Sequence, residues 1–390
     1  MSIIVGVDAS RNRSGGARTH LINLITEGKP HKHGIREIHV WSYKSLLDVI
    51  PNQPWLIKHN PPELERSIFN QMWWQRYKFP SELKKAGCSI VLNTDAGTIS
   101  NFYPSITMSR DMLSYEPGEI QRFGFSKAVL RLILLRYIQN LSLKKSNGTI
   151  FLTQYAADVI QRSCGKLSRI AIIPHGVGDE FRNIKAQIRK PADSKNTLRI
   201  LYVSHAELYK HQCIVIQAIE RLRMNGYDVS LSLVGVGVGA VKVKQMIKNQ
   251  RDKSDPNQEW VELIDFVPHC ELPKEMAKAD VFVFASSCEN MPNTLVEAMA
   301  VGLPIACSKR GPMPEVLRDG GIYFDPENQE SIANAVEKLV VDERLRLDLA
   351  LKAKHISEQY LWSRCADETF SFISETNKVA DNDHRKLPVK

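Results

Sequence analysis

The chain has 390 residues, of which 43% are hydrophobic and 24% are charged, a composition typical of soluble globular proteins. This length is long for one hydrophobic core and predicts two domains of ordinary size. The formal net charge of +9 predicts attraction to an acidic partner, such as a phosphorylated substrate or an anionic membrane face. Nucleic acid is not expected as the partner, because no zinc-finger or RNA-binding motif accompanies the charge.

The first residues do not fit a signal peptide, because no basic region precedes the apolar run at 3–7. The most apolar stretch, 128–143, contains two arginines and cannot span a bilayer, which needs about 20 mostly apolar residues. The seven cysteines form no CxxC pair, so neither a disulfide framework nor a zinc site is expected. The expected localisation is cytoplasmic, and peripheral contact with the inner face of the cell membrane is left open.

Short apolar runs alternate with helical patterns along the chain, which predicts parallel α/β layers. In the first half, strands are predicted at 3–7, 38–41, 89–92, 105–108, 149–152 and 170–173, with a helix at 21–26. The polar stretch 185–196 is predicted to be a linker. In the second half, strands are predicted at 199–203, 230–234, 261–266, 281–285, 304–308 and 322–324, and helices at 212–223, 242–248, 294–301 and 329–341.

The alternation predicts two Rossmann-like domains, 1–190 and 197–362, with the ligand site in the cleft between them. A last amphipathic helix at 363–376 could pack on either domain, and a return to the first domain is left open. The tail at 377–390 is predicted to be disordered.

Paired glycines follow the first predicted strand, within the segment 14–20. Gly15 and Gly16 let the backbone approach a ligand closely, and the N-terminus of the following helix favours an anion. The pattern predicts contact with a phosphate or a sugar, and an ordinary tight turn is the alternative.

A second glycine-rich turn, at 235–240, formally matches the dinucleotide fingerprint G-x-G-x-x-G/A. No acidic residue ends a following strand at the distance needed to hold a ribose, and Asp255 lies in a polar loop. We therefore predict a glycine turn facing the cleft rather than a nicotinamide or flavin site.

The segment 203–212 lies between the first strand of the second half and its helix. Its lysine, Lys210, can reach a phosphate as a point charge. A cation in the first turn of a helix is unfavourable beside the positive end of the helix dipole, and a bound anion would relieve this. The alternative is a solvated surface lysine.

Two glutamates, Glu289 and Glu297, bracket a predicted loop-to-helix turn. Backbone N–H groups at a helix start lack partners and would point at a ligand in the cleft. Glu297 alone also fits a capping box with Thr294, but that alternative does not explain Glu289. No second acidic cluster accompanies the pair, so a metal is not predicted.

Taken together, these motifs resemble family-4 retaining glycosyltransferases, which have the GT-B fold. The pair Glu289-x7-Glu297, within Glu-Asn-Met-Pro-Asn-Thr-Leu-Val-Glu, resembles the E-x7-E region of that family. Further segments resemble the family at 14–16, 173–177, 233–237, 266–269, 302–304, 311–315 and 324–326.

The resemblance implies a role for each matched residue. Glu297 would bind the ribose hydroxyls of the donor, Glu289 would lie against the transferred sugar, and Lys210 would neutralise the diphosphate. The predicted catalytic residues are Glu289, Lys210 and Asp111. The predicted donor-binding residues are Gly15, Gly16, Ser204, His205, Lys210, Val267, Glu289, Asn290, Met291, Pro292, Asn293, Thr294, Leu295 and Glu297.

The sequence departs from the family at two places. An arginine usually precedes the lysine by four or five residues, and His205 stands there instead. The resulting charge compensation is expected to be weaker, pH-dependent, or supplied by Arg11, Arg13 or Arg18. Many members carry a histidine near 108–117, whereas this segment resembles a subgroup with Arg-Asn-Met-Leu-Pro-Phe. A role of Arg110 or Asp111 toward the acceptor and a turn-forming role both stay open.

By resemblance, the expected function is transfer of a sugar from a nucleotide-diphosphate donor to a glycan or lipid-linked acceptor, with retained configuration and without a cofactor or metal. Surface-polysaccharide or lipopolysaccharide biosynthesis is the expected setting. The alternatives are a GT-B-like sugar-nucleotide epimerase or phosphorylase, or a non-catalytic nucleotide-sugar or glycan-binding protein. The stretch 125–145, which is both apolar and basic, fits an anionic membrane surface and a core helix equally well.

Overall fold

The computed structural model describes residues 2–13, 15–184 and 197–386. The chain divides into two compact units, a first unit of Met1–Gly176 with Leu361–Lys390 and a second unit of Val177–Tyr360. The predicted linker at 185–196 lies outside the described residues.

Among the described residues of the first unit, seven parallel strands form one sheet in the order β3-β2-β1-β4-β5-β6-β7. The strands are β1 (Ile3–Asp8), β2 (Ile35–Trp41), β3 (Leu56–His59), β4 (Ile90–Asn93), β5 (Ser105–Met108), β6 (Gly148–Phe151) and β7 (Ile170–Ile172). The helices between them are α1 (Gly15–Thr26), α2 (Lys44–Leu47), α3 (Ile68–Trp73), α4 (Phe79–Lys85), α5 (Lys127–Lys145) and α6 (Gln154–Cys164). A π-helical turn, Trp74–Lys78, joins α3 to α4.

The second unit, as far as it is described, has six parallel strands in the order β10-β9-β8-β11-β12-β13. The strands are β8 (Leu198–Val203), β9 (Val229–Val234), β10 (Val261–Ile264), β11 (Val281–Phe284), β12 (Ile305–Ser308) and β13 (Gly321–Phe324). The helices are α7 (Asp179–Arg182), α8 (Gln212–Met224), α9 (Val241–Ser254), α10 (Leu272–Met276), α11 (Asn293–Val301), α12 (Met313–Leu317), α13 (Gln329–Val341) and α14 (Glu343–Ser357). The chain then returns to the first unit in α15 (Trp362–Lys386).

The central strands are apolar runs because helices cover both faces of a parallel sheet. Every residue of β4, β5, β6, β11 and β12 is buried. This continuous apolar character is the signal that identified these strands in the sequence. The predicted fold class, α/β with two Rossmann-like parallel sheets, is confirmed.

Three elements differ from the sequence prediction. The edge strand β3 was missed because Leu-Ile-Lys-His is half polar and none of its residues is buried. Helix α1 begins at Gly15, so the paired glycines form its first turn rather than a preceding loop. Helix α15 continues to Lys386, so the prediction of disorder from residue 377 is wrong over the described part of the tail. Its buried residues Asn377 and Ala380 show why the helix persists.

Parallel strands place the loops that follow them at one edge of the sheet, where α/β proteins bind ligands. In the second unit, the loop after β8, the loop after β11 and the start of α11 carry most of the predicted donor-binding residues. None of the helices that the structure describes is long and apolar enough to cross a membrane.

Candidate functional site

The loops after β8, β9 and β11 pack against one another. The amide of Ser287 donates to the carbonyl oxygen of Tyr209 at 2.8 Å, which joins the β11 loop to the β8 loop. The amide of Ala206 donates to the carbonyl oxygen of Val238 at 2.7 Å, which joins the β8 loop to the β9 loop. These cross-connections fix the backbone that carries the candidate side chains.

The structure brings together two predicted catalytic residues, Lys210 and Glu289. Lys210 Nζ forms an ion pair with Glu289 Oε1, and the two side chains are only 13% and 16% exposed. Nζ also lies 5.5 Å from the centre of the Phe284 ring, while the hydroxyl of Tyr202 donates to the carbonyl oxygen of Lys210 at 2.8 Å. The alternative of a solvated surface lysine is therefore wrong.

His205 lies on the same loop and precedes Lys210 in the sequence. Gln212 Nε2 donates to Ser204 Oγ at 2.9 Å and to the carbonyl oxygen of His205 at 2.6 Å, which holds this turn of the loop. Partial desolvation and the charge of Lys210 lower the pKa of His205 from its ordinary 6.5, although Glu289 acts in the opposite direction. The lowered pKa means that His205 does not supply the permanent charge of an arginine.

Helix α11 begins at Asn293, with Pro292 as the preceding cap residue. The amide of Leu295 donates to the carbonyl oxygen of Pro292 at 3.0 Å. Among the described residues, the amides of Met291 and Thr294 have no hydrogen-bond acceptor. Two backbone donors are thus available at a helix end that favours anions.

Thr294 is the second residue of α11 and not its cap, so the capping-box alternative for Glu297 is wrong. Glu297 and Glu289 have different partners, since Glu289 pairs with Lys210 and Glu297 contacts His269. Glu297 Oε1 is 2.9 Å from Nε2 of His269, in the loop after β10, and the Glu297 side chain is 13% exposed. His269 belongs to the matched segment 266–269 but was given no role from the sequence, because nothing in its spacing ties it to a residue in a later helix.

The remaining predicted donor-binding residues of the second unit lie in the β11 loop, in the first turn of α11 and after β10. Asn290 and Met291 are each 6% exposed, and Leu295 is fully buried. Val267 follows β10, next to Phe266, whose side chain is 67% exposed.

The glycine turn at 235–240 has a packing explanation. A Cβ on Gly237 would lie 2.6 Å from Cβ of Asp265, and one on Gly239 would lie 2.4 Å from the carbonyl oxygen of Ala206. Asp255 accepts hydrogen bonds from the amides of residues 259, 260 and 261, so its carboxylate is used within its own loop. The structure thus explains these glycines by the close approach of neighbouring backbone.

The remaining predicted residues, Gly15, Gly16 and Asp111, belong to the first unit. Asp111 Oδ1 accepts a hydrogen bond from the amide of Leu113 at 3.0 Å, the geometry of a turn, and burial raises the pKa of Asp111. Next to it, Arg110 Nη2 donates to Asn12 Oδ1 at 2.8 Å.

Two of the three arginines considered as substitutes for the missing one are held within the first unit. Arg13 Nη2 donates to the carbonyl oxygen of Leu64 at 2.6 Å, and its guanidinium lies 4.6 Å from the centre of the Tyr43 ring. Arg18 Nη2 donates to the carbonyl oxygen of Ser45 at 3.3 Å. Over the described ranges, no group of three or more His, Cys, Asp or Glu is placed to hold a metal ion.

Residues 183–356 match the model of the family Glycosyl transferases group 1. The O-antigen chain mannosyltransferase B of Escherichia coli is 29% identical over 112 residues, which cover 29% of this chain and 29% of that protein. The GDP-mannose-dependent alpha-(1-6)-phosphatidylinositol monomannoside mannosyltransferase of Mycolicibacterium smegmatis is 26% identical over 246 residues, which cover 60% of this chain and 62% of that protein. The chain therefore spans less than two thirds of the length of either relative.

The fold is shared with solved glycosyltransferase structures. The sucrose-phosphate synthase of Thermosynechococcus elongatus superposes with a TM-score of 0.72 over 99% of this chain and 100% of that chain, at 15% identity. The two Rossmann-like sheets are those of the GT-B fold, as the sequence resemblance predicted. Residues 183–356, less than half of the chain, thus match group 1 glycosyltransferases, the broader group that the sequence resemblance named.

Proposed function

We propose that this protein is a retaining glycosyltransferase of family 4 that moves a sugar from a nucleotide-diphosphate donor to a glycan or lipid-linked acceptor. The observation that carries the proposal is the Lys210–Glu289 pair beside the start of α11. A cation and a helix N-terminus converge there, next to a carboxylate that is nearly withdrawn from solvent. This combination suits a diphosphate joined to a sugar.

The chemistry follows from the charges. When the bond between the anomeric carbon and the phosphate oxygen breaks, its electron pair goes to that oxygen, and the diphosphate gains negative charge. Lys210 and the free amides of Met291 and Thr294 are fixed donors for this charge, and fixed donors lower the barrier. The acceptor oxygen bonds to the anomeric carbon from the same face, and its proton passes to the departing phosphate oxygen.

Glu289 acts in this proposal by positioning the sugar and stabilising its developing positive charge, rather than as a nucleophile. Glu297 accepts hydrogen bonds from the ribose hydroxyls of the donor. Neither step uses a metal or a cofactor.

The setting we propose is surface-polysaccharide or lipopolysaccharide biosynthesis. The names of two relatives support it, since one acts on an O-antigen chain and the other on a phosphatidylinositol monomannoside with a GDP-mannose donor. The second name also supports a lipid-linked acceptor.

A peripheral position on the inner face of the cell membrane belongs to the same proposal, and helix α5 supports it. Leu130, Leu134 and Tyr137 are 70%, 57% and 62% exposed and lie on one face of the helix. Its inward face holds polar Gln139, which contacts Ser114 Oγ at 3.2 Å. The helix therefore turns an apolar stripe outward, which the core-helix alternative does not explain.

Basic side chains border this stripe. Lys127, Arg131, Lys144 and Lys145 are all exposed on α5. Each basic residue near an anionic bilayer contributes about 1 kcal/mol of attraction. The combination fits an anionic lipid surface better than a neutral one.

The donor proposal is tested by thermal shift with UDP, GDP, ADP and their sugars. A ligand that binds only the folded state at 100 times its Kd stabilises the protein by about 2.7 kcal/mol. At least one nucleoside diphosphate should raise the Tm of the native chain, and Lys210→Ala should reduce that shift. Lys274→Ala is the matched control, because that lysine belongs to the same unit and is 68% exposed.

Catalysis and stereochemistry need a second measurement. Release of free nucleoside diphosphate from a sugar nucleotide separates a catalyst from a binding protein. The anomeric configuration of the product, read by NMR, should match that of the donor. Inversion would refute the retaining assignment, and absence of any nucleoside diphosphate binding would refute the function itself.

The membrane part is tested by flotation with vesicles of phosphatidylcholine alone or with phosphatidylglycerol added. The native chain should float with the anionic vesicles, and Leu134→Glu should reduce flotation. Leu351→Glu serves as the control, because Leu351 is 70% exposed in α14 of the second unit. Equal flotation of both variants would refute the proposal that α5 contacts the membrane.

A further inference from the structure

His269 lies between two carboxylates and an aromatic ring of the second unit. Its Nε2 is 2.9 Å from Glu297 Oε1, and its Nδ1 is 4.0 Å from Glu180 Oε1. The ring centre lies 5.2 Å from that of Phe181. Both ring nitrogens therefore face a glutamate, one from α11 and one from α7.

The α7 side of this arrangement is anchored. Phe181 is fully buried, which fixes the ring that packs on His269. Glu180 folds back over the residue before α7, since a Cβ on Gly178 would lie only 2.2 Å from Glu180 Oε2. The histidine is thus held from two directions, although half of its side chain is exposed.

The consequence concerns the second oxygen of Glu297. Oε1 is taken by His269, while Oε2 has no hydrogen-bond partner among the residues that the structure describes. Each oxygen of an ionised carboxylate accepts hydrogen bonds. One oxygen is therefore anchored, and the other is left as an acceptor in a fixed direction.

We propose that His269 is a positioning residue for the donor site, which holds Glu297 so that Oε2 meets the ribose hydroxyls of the nucleotide. This rests on the proposed function, because it takes Glu297 as the ribose-binding residue. Without the histidine, the glutamate side chain keeps its charge but loses its orientation. Affinity for the ribose should then fall more than affinity for the rest of the nucleotide.

The charge of the histidine adds a pH dependence. The hydrogen bond to Glu297 raises the pKa of His269, as do the charges of Glu297 and Glu180, against the opposing effect of burial. On the segment of His269 itself, Glu271 is paired with Lys274 at 3.0 Å. Because the pKa is raised, the charged contact is complete below pH 6.5 and is lost as the pH rises through the raised pKa.

The experiment compares the Kd of UDP with that of its 2′,3′-dideoxy form, and GDP likewise, by calorimetry at pH 6 and pH 8. Both members of a pair carry the same diphosphate, so their ratio isolates the ribose hydroxyls. The native chain should prefer the ribose form, and His269→Ala should reduce that preference by about 2- to 10-fold, the range for one hydrogen bond. His269→Gln, which keeps a donor, should restore part of the preference and remove its pH dependence.

His355→Gln is the control, since His355 is 83% exposed and contacts Glu358 at 3.2 Å in the same unit. An unchanged ratio in His269→Ala, or an equal loss for both members of the pair, would overturn the positioning role while the native chain still bound nucleotide. If the native chain bound no nucleoside diphosphate, the proposed function would fail, and this inference would fall with it.

Discussion

We expect the substitution Glu289→Gln to tighten nucleotide binding and to slow sugar transfer. The carboxylate of Glu289 is paired with Lys210, the cation that would bind the diphosphate in the proposed function. A diphosphate therefore competes with Glu289 for the same ammonium group. Glutamine keeps the shape and removes the competing charge, so binding of UDP or GDP should become tighter.

The size of the effect follows from the exposure of the pair. Exposed ion pairs contribute about 0.2–1 kcal/mol, and breaking a buried one costs about 3–5 kcal/mol. With side chains 13% and 16% exposed, the Lys210–Glu289 pair lies between these cases, and we take about 1–2 kcal/mol. Without this competing ion pair, the Kd of the nucleoside diphosphate should be lowered about 5- to 30-fold.

Turnover should move in the other direction. The developing positive charge on the sugar loses its carboxylate, and removal of one fixed electrostatic partner from a site typically costs about 100-fold or more in kcat. Tighter binding of the nucleoside diphosphate together with slower transfer is therefore the expected signature of Glu289→Gln.

Calorimetry with the free nucleoside diphosphate and a coupled assay of its release measure the two effects separately. Glu330→Gln is the matched control, because this substitution also removes one negative charge from the second unit. Glu330 is 60% exposed and pairs with Arg221. Weaker nucleotide binding in Glu289→Gln would refute the competition argument. Near-normal turnover, with turnover lost in Glu297→Ala, would refute the role assigned to Glu289.

Three other substitutions test the loops and the acceptor side. Gly239→Ala should lower the Tm by several degrees more than Gly226→Ala. Both glycines have a positive φ (+118° and +91°), but only a Cβ added at Gly239 would lie within 3 Å of other backbone atoms. Equal shifts in a melting experiment would contradict the packing argument. His205→Arg should tighten UDP or GDP binding and flatten the pH dependence of binding between pH 5.5 and 8. The native histidine gains charge only as the pH falls through its lowered pKa, whereas arginine stays charged. A pH profile of binding parallel to that of the native chain would contradict this. Asp111→Asn keeps the oxygen that accepts from Leu113, so its Tm should be unchanged. Turnover should fall about 100-fold or more, from the lower end of the range for lost acid–base catalysis upward, and unchanged turnover would leave Asp111 as a turn former.

The sequence allowed prediction of the sheets because parallel strands covered on both faces must be apolar throughout. Strands such as β5 and β11 meet that condition and were found. Strand β3 does not, because two of its four residues are polar and, at the edge of the sheet, none of the four is buried. The tail was misjudged for a related reason, since burial of Asn377 and Ala380 depends on packing that local composition does not reveal.

The site divides in the same way. Glu289, Lys210 and the start of α11 are tied to strand ends, and parallel topology places strand ends together, so their proximity could be predicted. The contact between His269 and Glu297 could not, because it depends on how two side chains turn toward each other across loops. The direction of α5 was equally hidden, since its sequence has apolar residues on more than one face and only packing shows which of them point outward.

The joined loops also bear on redesign of donor preference. Residues 204–211 are hydrogen-bonded to the β9 turn and to the β11 loop, and the glycines of the β9 turn leave no room for a side chain. Side chains added at these glycines would clash with neighbouring backbone, so substitutions there are expected to destabilise the protein. Positions 266 and 267 offer more freedom, because the exposed ring of Phe266 is not part of these connections, and a search for new nucleotide preferences should begin there.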